Sequence, residues 1–132
     1  MDTLSITSIN QKQKQFFHSG VTLPLAWRKQ QLKRLDKAMH QYEAKLAEAL
    51  WKDLHKSYEE AYLTELSIVY GEIRNHLRHL CRWARAERKC SPLAILPASS
   101  KVIKEPLGSA LIIAPWNYPV QLLLNPLVGA IS

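Results

Sequence analysis

The sequence has 132 residues, 47% of them hydrophobic, and a formal net charge of +7 at pH 7. This length suits one modest domain, and this apolar content argues against an intrinsically disordered chain. Two cysteines are too few for a disulfide framework, which favours a reducing compartment. The positive net charge permits an acidic partner such as nucleic acid.

Three helices are predicted in residues 1–90, the helical N-terminal region. The first covers about residues 5–18 and is weakly amphipathic. The second begins near Pro24, a residue suited to a first helical turn, and runs to about Leu54. Its apolar side chains recur at steps of three and four, which predicts one buried face: Leu32, Leu35, Met39, Tyr42, Leu46 and Leu50.

The third helix is predicted to begin at a capping box and to run to about Arg88. Ser57 and Glu60 have the spacing of that box, in which the serine hydroxyl accepts a hydrogen bond from a first-turn N–H group. Its apolar residues also recur at steps of three and four: Leu63, Leu66, Tyr70, Ile73, Leu77, Leu80 and Ala84. Two facing stripes predict that the second and third helices pack as a long antiparallel pair.

Residues 91–108 are predicted to be a connection, because Pro92 and Pro97 interrupt regular structure. A short strand is expected within it, at about residues 101–105.

Residues 109–132 are predicted to form a strand, a tight turn and a helix. No polar residue alternates in residues 110–114, which is typical of a strand buried on both faces of a parallel sheet. Pro119 suits the first turn of the following helix, and Pro126 predicts a kink or break in it. The expected fold class is therefore α/β: a helical arm, then the first strand, turn and helix of a parallel-sheet domain that is incomplete in this chain.

The turn has the sequence APWNYP, residues 114–119, and it is the main candidate for a site. Ligands of open α/β sheets lie outside the carboxyl ends of the strands, where this turn is expected. Its two prolines make the backbone stiff, and Asn117 offers a neutral NH₂ donor of the kind that an oxyanion site requires. A purely structural loop remains the alternative on these residues alone.

The stretch EPLGSALIIAPWNYPVQLLLNPLVGAIS resembles the segment of the aldehyde dehydrogenase superfamily that enters the cofactor-binding domain. The stretch WRKQQLKRLDKAMHQYEAKLAEALWKDLHKS resembles the helical N-terminal region of the class 3, fatty-aldehyde-type branch. The resemblance extends from about Phe16 to Ser132, and it implies that residues 109–132 begin a dinucleotide-binding domain.

The resemblance implies oxidation of an aldehyde to a carboxylic acid with NAD or NADP, through a thioester on a cysteine. Asn117 matches the family asparagine that stabilises the oxyanion. The stretch that runs beside the cofactor in the family matches Ala114, Pro115, Trp116 and Asn117. Aromatic residues near the substrate entrance match Tyr118 and Tyr62.

The nucleophilic cysteine, the general-base glutamate and the glycine-rich cofactor motif of the family have no counterpart in these residues. Cys81 and Cys90 do not match the nucleophile: Cys81 is interpreted as a small core residue on the apolar side of the third helix, and Cys90 as a loop thiol. The chain is therefore expected to be an N-terminal fragment that is inactive alone, and its parent enzyme to be a cytoplasmic homodimer. No metal site is expected.

Three other interpretations are less favoured. Residues Arg74, Arg78, Arg82 and Arg85 form a basic stripe, so the alternative function is a helical nucleic-acid-binding module. His76 and His79 have helical spacing for two metal ligands, but no third ligand is clearly placed. Residues 106–132 carry no charged side chain, yet three prolines and three amides argue against a membrane span.

Overall fold

The computed structural model describes residues 3–132, with side chains described from residue 5 onward. The regular elements follow in this order: α1 (Thr3–His18), α2 (Leu25–Leu54), α3 (Tyr58–Ala61), α4 (Ser67–Trp83), β1 (Glu87–Lys89), β2 (Ser100–Val102) and α5 (Pro119–Ile131). A π-helical turn, Tyr62–Leu66, joins α3 to α4, and a short 3-10 turn, Leu93–Ile95, lies between the strands. The described part of the chain is thus mostly helical.

The hydrophobic core lies where α2, α4 and α5 meet. Its buried side chains are Leu32, Met39, Leu66, Val69, Tyr70, Ile73, Leu80 and Val128. Most come from the two stripes predicted by helical periodicity, because a three-four spacing places side chains on one face. Tyr42 is an exception: it is 48% exposed, so its prediction as a buried residue was wrong.

The predicted start of the third helix is confirmed in one respect. The Ser57 hydroxyl accepts a hydrogen bond from the Glu60 backbone N–H at 3.2 Å, which satisfies one of the free donors of the first turn.

The π-helical turn changes which side chains of this helix face the core. A π turn holds more residues than an α turn, so it shifts the phase of the side chains on either side of it. Leu63 is 66% exposed, whereas Glu65 and Leu66 are completely buried. The prediction that Leu63 belongs to the buried stripe was therefore wrong, and a charged residue lies inside instead.

The sheet differs from the predicted one. The long helix ends at Trp83 rather than near residue 88, and β1 follows it. The two strands pair antiparallel, with Arg88 opposite Lys101, and β2 begins one residue before the predicted short strand. Neither strand is parallel to a neighbour, so the described residues contain no part of a parallel sheet.

The strand predicted at residues 110–114 is absent from the structure. Residues 103–115 have no regular secondary structure, and Leu111 and Ile113 are about 85% exposed. A strand needs a neighbouring strand to pair its backbone N–H and C=O groups, and the described residues place none beside this segment. The candidate turn consequently does not follow the carboxyl end of a strand.

The last helix begins as predicted. Pro119 is its first residue, and α5 continues through Pro126 to Ile131 without a break. Across the described residues, no helix is both long and apolar enough to cross a bilayer.

Two isoleucines of α4 give a matched test of the core. Ile73 is completely buried and Ile68 is 40% exposed. We expect Ile73→Val to lower the free energy of unfolding by about 0.5–1.5 kcal/mol, because it removes one buried methyl group. Ile68→Val should change it by less than about 0.5 kcal/mol. Urea unfolding of both variants measures the difference, and equal effects would contradict this assignment of the buried face.

A candidate site on the turn between Pro115 and Pro119

The candidate turn joins segment 103–115, which has no regular secondary structure, to α5. Residues 116–118 form a bend, and Tyr118 is the N-cap residue of α5. The Tyr118 side chain makes no capping hydrogen bond, and Pro119 has no backbone N–H group. The next backbone N–H groups of α5, those of Val120 and Gln121, therefore need an acceptor from elsewhere in the chain.

That acceptor is the buried carboxylate of Glu65, on the π-helical turn. Its Oε2 atom accepts hydrogen bonds from the backbone N–H groups of Val120 at 2.8 Å and Gln121 at 3.3 Å. A carboxylate at this end of a helix also interacts favourably with the helix dipole. A residue 55 positions earlier in the sequence thus caps α5.

The second anchor of the turn is Lys56, which lies between α2 and α3 and is 7% exposed. Its ammonium group forms an ion pair with Glu65 Oε1 at 2.7 Å. The same ammonium group donates a hydrogen bond to the backbone carbonyl oxygen of Asn117 at 2.8 Å. It also lies 3.9 Å from the centre of the Tyr118 ring, within the range of a cation–π interaction. Lys56 therefore both pairs with the buried Glu65 carboxylate and holds the backbone of the turn.

Sequence reasoning missed both anchors. Lys56 lies in a predicted interhelical turn, and a lysine there is normally solvated. Glu65 stands between Leu63 and Leu66, so a charged residue beside a predicted apolar stripe was the one available signal. Their partners on the candidate turn and at the start of α5 lie 61 and 55 positions away, and no local pattern reveals them.

The predicted site residues on this turn lie at the surface. Asn117 is exposed, and so are Pro115, Trp116 and Tyr118, whereas Ala114 is half-buried. The Asn117 side chain is therefore not packed into the core, although the backbone carbonyl oxygen of Asn117 accepts a hydrogen bond from the buried Lys56. A side-chain amide on an anchored backbone is available to donate a hydrogen bond to a ligand.

Tyr62 belongs to a different group of residues. It is the first residue of the π-helical turn, and its ring lies 6.2 Å from that of Tyr58 and 6.5 Å from that of Tyr70. Asn117 is thus linked to Glu65 of the π turn through Lys56, whereas Tyr62, at the beginning of that turn, contacts other tyrosines.

Two tyrosines of that group share the carboxylate of Glu43. Tyr58 donates to Glu43 Oε1 at 2.7 Å, and Tyr70 donates to Glu43 Oε2 at 2.6 Å. Both hydrogen bonds lower the pKa of Glu43, and the one from Tyr58 has the larger effect. The hydrogen bond to Glu43 raises the pKa of Tyr58. The pKa of Tyr70 is also raised, mainly by burial of the hydroxyl group and secondly by its hydrogen bond to Glu43.

We expect Glu43→Gln to lower the pKa of both Tyr58 and Tyr70 toward the ordinary value of about 10. Both tyrosine pKa values are higher in the folded chain than in the unfolded chain, where they are about 10. Their contribution to the free energy of unfolding is therefore fully present below about pH 10 and is lost as the pH rises through the folded-state pKa values. The ultraviolet absorbance of tyrosinate, followed during an alkaline titration, measures the change. Glu105→Gln, at an exposed position, is the control. An unchanged titration of the Glu43 variant would contradict the shared carboxylate.

The arginine stripe and the two histidines lie on α4 or just after it. The arginines of the basic stripe are exposed, as a solvated face requires: Arg74, Arg78, Arg82 and Arg85. His76 contacts Glu72 and Ser132, whereas His79 contacts Asn75. Within the described residues, no three His, Cys, Asp or Glu side chains are grouped so as to hold a metal ion.

The two cysteines and a surface cavity lie elsewhere in the fold. Cys81 is in α4 and is exposed, so its interpretation as a core residue was wrong; Cys90 follows β1 and is also exposed. A surface cavity of about 250 Å³ is lined mainly by α1, the start of α2, residues 106–110 and the end of α5. Its lining includes no residue of the candidate turn.

A model of the aldehyde dehydrogenase family matches residues 5–132 of the chain. The 4,4'-diaponeurosporen-aldehyde dehydrogenase of Staphylococcus aureus is 44% identical over 119 residues, which is 90% of this chain and 26% of that protein. Aldehyde dehydrogenase family 3 member B1 of Homo sapiens is 43% identical, over 90% of this chain and 25% of that protein. The chain thus spans about a quarter of the length of the curated relatives it matches.

A solved structure has the same fold over nearly the whole chain. The substrate-bound state of Staphylococcus aureus AldH superposes with a TM-score of 0.91 at 40% sequence identity. The match covers 99% of this chain and 28% of that one.

Proposed function

This chain belongs to the aldehyde dehydrogenase family, and we propose that it takes part in the oxidation of an aldehyde to a carboxylic acid with NAD or NADP. The relatives of known name, among them family 3 members, support this reaction class. The observation that carries the proposal is the exposed Asn117 on a turn whose backbone is fixed by the buried residues Lys56 and Glu65.

The proposed role of Asn117 is to stabilise negative charge on the aldehyde oxygen. When a cysteine thiolate adds to the carbonyl carbon, the C=O π electrons move to the oxygen, which becomes an oxyanion. The NH₂ group of Asn117 donates a hydrogen bond to that oxygen, and its amide does not titrate, so the donor is present at every physiological pH. A donor on a fixed backbone needs little reorganisation during the reaction.

The turn also suits the uncharged part of a dinucleotide. Ala114, Pro115, Trp116 and Asn117 carry no charge, and the flat ring of Trp116 is 86% exposed. By the family resemblance, these residues would run beside the bound dinucleotide. When bound, the dinucleotide accepts the hydride. Tyr118 and Tyr62 would form apolar walls at the substrate entrance.

We propose further that these 132 residues do not oxidise aldehydes alone. Neither Cys81 nor Cys90 matches the family nucleophile by resemblance. Homodimerisation and a cytoplasmic location of the enzyme are also proposed from that resemblance. The alternative function, nucleic-acid binding through the arginine stripe, has no support from the relatives described above.

A chimaeric enzyme tests the proposal. Residues 5–132 of this chain would replace the matching quarter of the Staphylococcus aureus 4,4'-diaponeurosporen-aldehyde dehydrogenase, to which the chain is 44% identical over 119 residues. We expect aldehyde-dependent formation of NADH or NADPH by the chimaera and none by the isolated chain. A folded chimaera with a cooperative thermal transition but no turnover would overturn the proposal.

A further inference from the structure

The Lys56–Glu65 pair is unusual because buried charges are expensive and this one is placed under an exposed turn. Glu65 is completely buried and Lys56 nearly so. Moving two such charges out of water costs several kcal/mol each, and their attraction often only balances that cost. A pair of this kind is therefore weak support for a stabilising role, and its contacts suggest another one.

The contacts of the pair converge on one short segment. Lys56 donates to the Asn117 carbonyl oxygen and lies over the Tyr118 ring. Glu65 accepts from Val120 and Gln121, the first two N–H groups of α5. The two charges thus hold four of the five consecutive residues 117–121, on both sides of Pro119.

The π-helical turn is what brings Glu65 to this place. With ordinary α-helical spacing Leu63 would continue the buried stripe, but it is 66% exposed and Glu65 is buried instead. Local π turns in helices are frequent at functional sites, because they redirect individual side chains. Here the redirected side chain is the carboxylate that caps α5.

We propose that Lys56 and Glu65 are positioning residues for Asn117. The pair fixes the backbone of the turn from its buried side, and it thereby leaves the Asn117 carboxamide on the exposed side with one preferred position. This role requires no contact between either residue and a substrate. The effect of this positioning on catalysis rests on the proposed function, in which Asn117 donates a hydrogen bond to the oxyanion. The mechanical part, a turn held by two buried charges, stands on the contacts alone.

A double variant separates positioning from stability. Lys56→Met with Glu65→Leu replaces both charges by apolar groups of similar volume, an exchange that often leaves stability unchanged or raises it. The turn then loses every contact described above. In the ¹⁵N-labelled chain we expect the order parameter of the Asn117 backbone N–H to fall from about 0.85 to below about 0.6. The amides of Val120 and Gln121 should exchange with solvent about 10- to 100-fold faster.

The matched control uses the exposed ion pair of α2. Lys52 and Glu48 lie 2.6 Å apart with both side chains more than 60% exposed. Lys52→Met with Glu48→Leu makes the same chemical changes and should leave residues 117–121 as ordered as in the original chain. Should the buried double variant not fold, Lys56→Met with Glu65→Gln carries the test at Asn117, because it leaves no unpaired buried charge and the amide oxygen at position 65 can still accept from the Val120 and Gln121 N–H groups. Lys56→Arg, which retains a charged donor, is expected to restore most of the order.

The same double substitution in the chimaera distinguishes this inference from the proposed function. We expect kcat to fall about 10- to 100-fold with little change in KM, since the donor is displaced by about 1 Å or more. A loosened turn with unchanged kcat would remove the proposed role of Asn117 and leave the mechanical inference standing. A folded double variant with unchanged order at Asn117 and unchanged exchange at Val120 and Gln121 would overturn the positioning role itself.

Discussion

Replacing Glu65 with leucine is expected to destabilise the folded chain by about 3–5 kcal/mol. The substitution removes the carboxylate that accepts from Lys56 Nζ, Val120 N and Gln121 N. It leaves the buried ammonium group of Lys56 without its counter-ion, and it leaves the first N–H groups of α5 without an acceptor. An uncompensated buried charge is far more costly than the pair is beneficial, because no water replaces the lost partner.

Urea unfolding followed by circular dichroism measures this loss, and the double variant provides its internal check. Adding Lys56→Met to Glu65→Leu removes the uncompensated charge, so most of the lost stability should return. Glu48→Leu breaks the exposed ion pair with Lys52 and should shift the unfolding midpoint very little. If Glu65→Leu unfolded at the same urea concentration as the original chain, Glu65 would not be buried in the way the structure shows.

The parts of the fold that sequence reasoning predicted well depend on neighbours in the sequence. Ser57 caps the third helix through Glu60, three residues away, and Pro119 begins α5 because its ring already has the helical φ. The buried faces of α2 and α4 follow from helical periodicity in the same way, as with Leu32 and Ile73. In each case the physical cause acts within one or two turns of helix.

The predictions that failed depend on groups distant in the sequence or on a change of helical period. Leu63 was placed in the core because a constant period of 3.6 residues was extended across a π turn. The strand at residues 110–114 was inferred from an apolar run, which indicates burial but not the element that buries it. In the described chain Leu111 and Ile113 instead remain exposed.

The candidate site also contains residues that a local sequence motif predicted and residues that it did not. Asn117, Trp116 and Tyr118 were identified from a short motif and a family resemblance. The two residues that hold the turn, Lys56 and Glu65, were not identified, since they lie 61 and 55 positions from their partners Asn117 and Val120. A motif can indicate a candidate ligand-binding residue, whereas the buried groups that fix its backbone become visible only in three dimensions.

Asn117→Ala in the chimaeric enzyme should lower kcat by about 10²–10³-fold, which corresponds to about 2.7–4 kcal/mol of lost transition-state stabilisation. The backbone contact to Lys56 survives this substitution, because Lys56 bonds to the carbonyl oxygen of residue 117 and not to its side chain. The turn should therefore remain ordered, and KM should change little, since the lost hydrogen bond strengthens only as the oxyanion forms.

Asn117→Asp makes the test sharper at constant size. An ionised carboxylate cannot donate a hydrogen bond, and its negative charge repels an oxyanion, so kcat should fall at least as far as in the alanine variant. Asn10→Ala, at an exposed position in α1, is the matched control and should retain full turnover. Steady-state and single-turnover kinetics of the three variants give kcat and KM separately. If Asn117→Ala and Asn117→Asp kept kcat within about twofold of the unsubstituted chimaera, residue 117 would not be the donor, because a donor of this kind contributes far more.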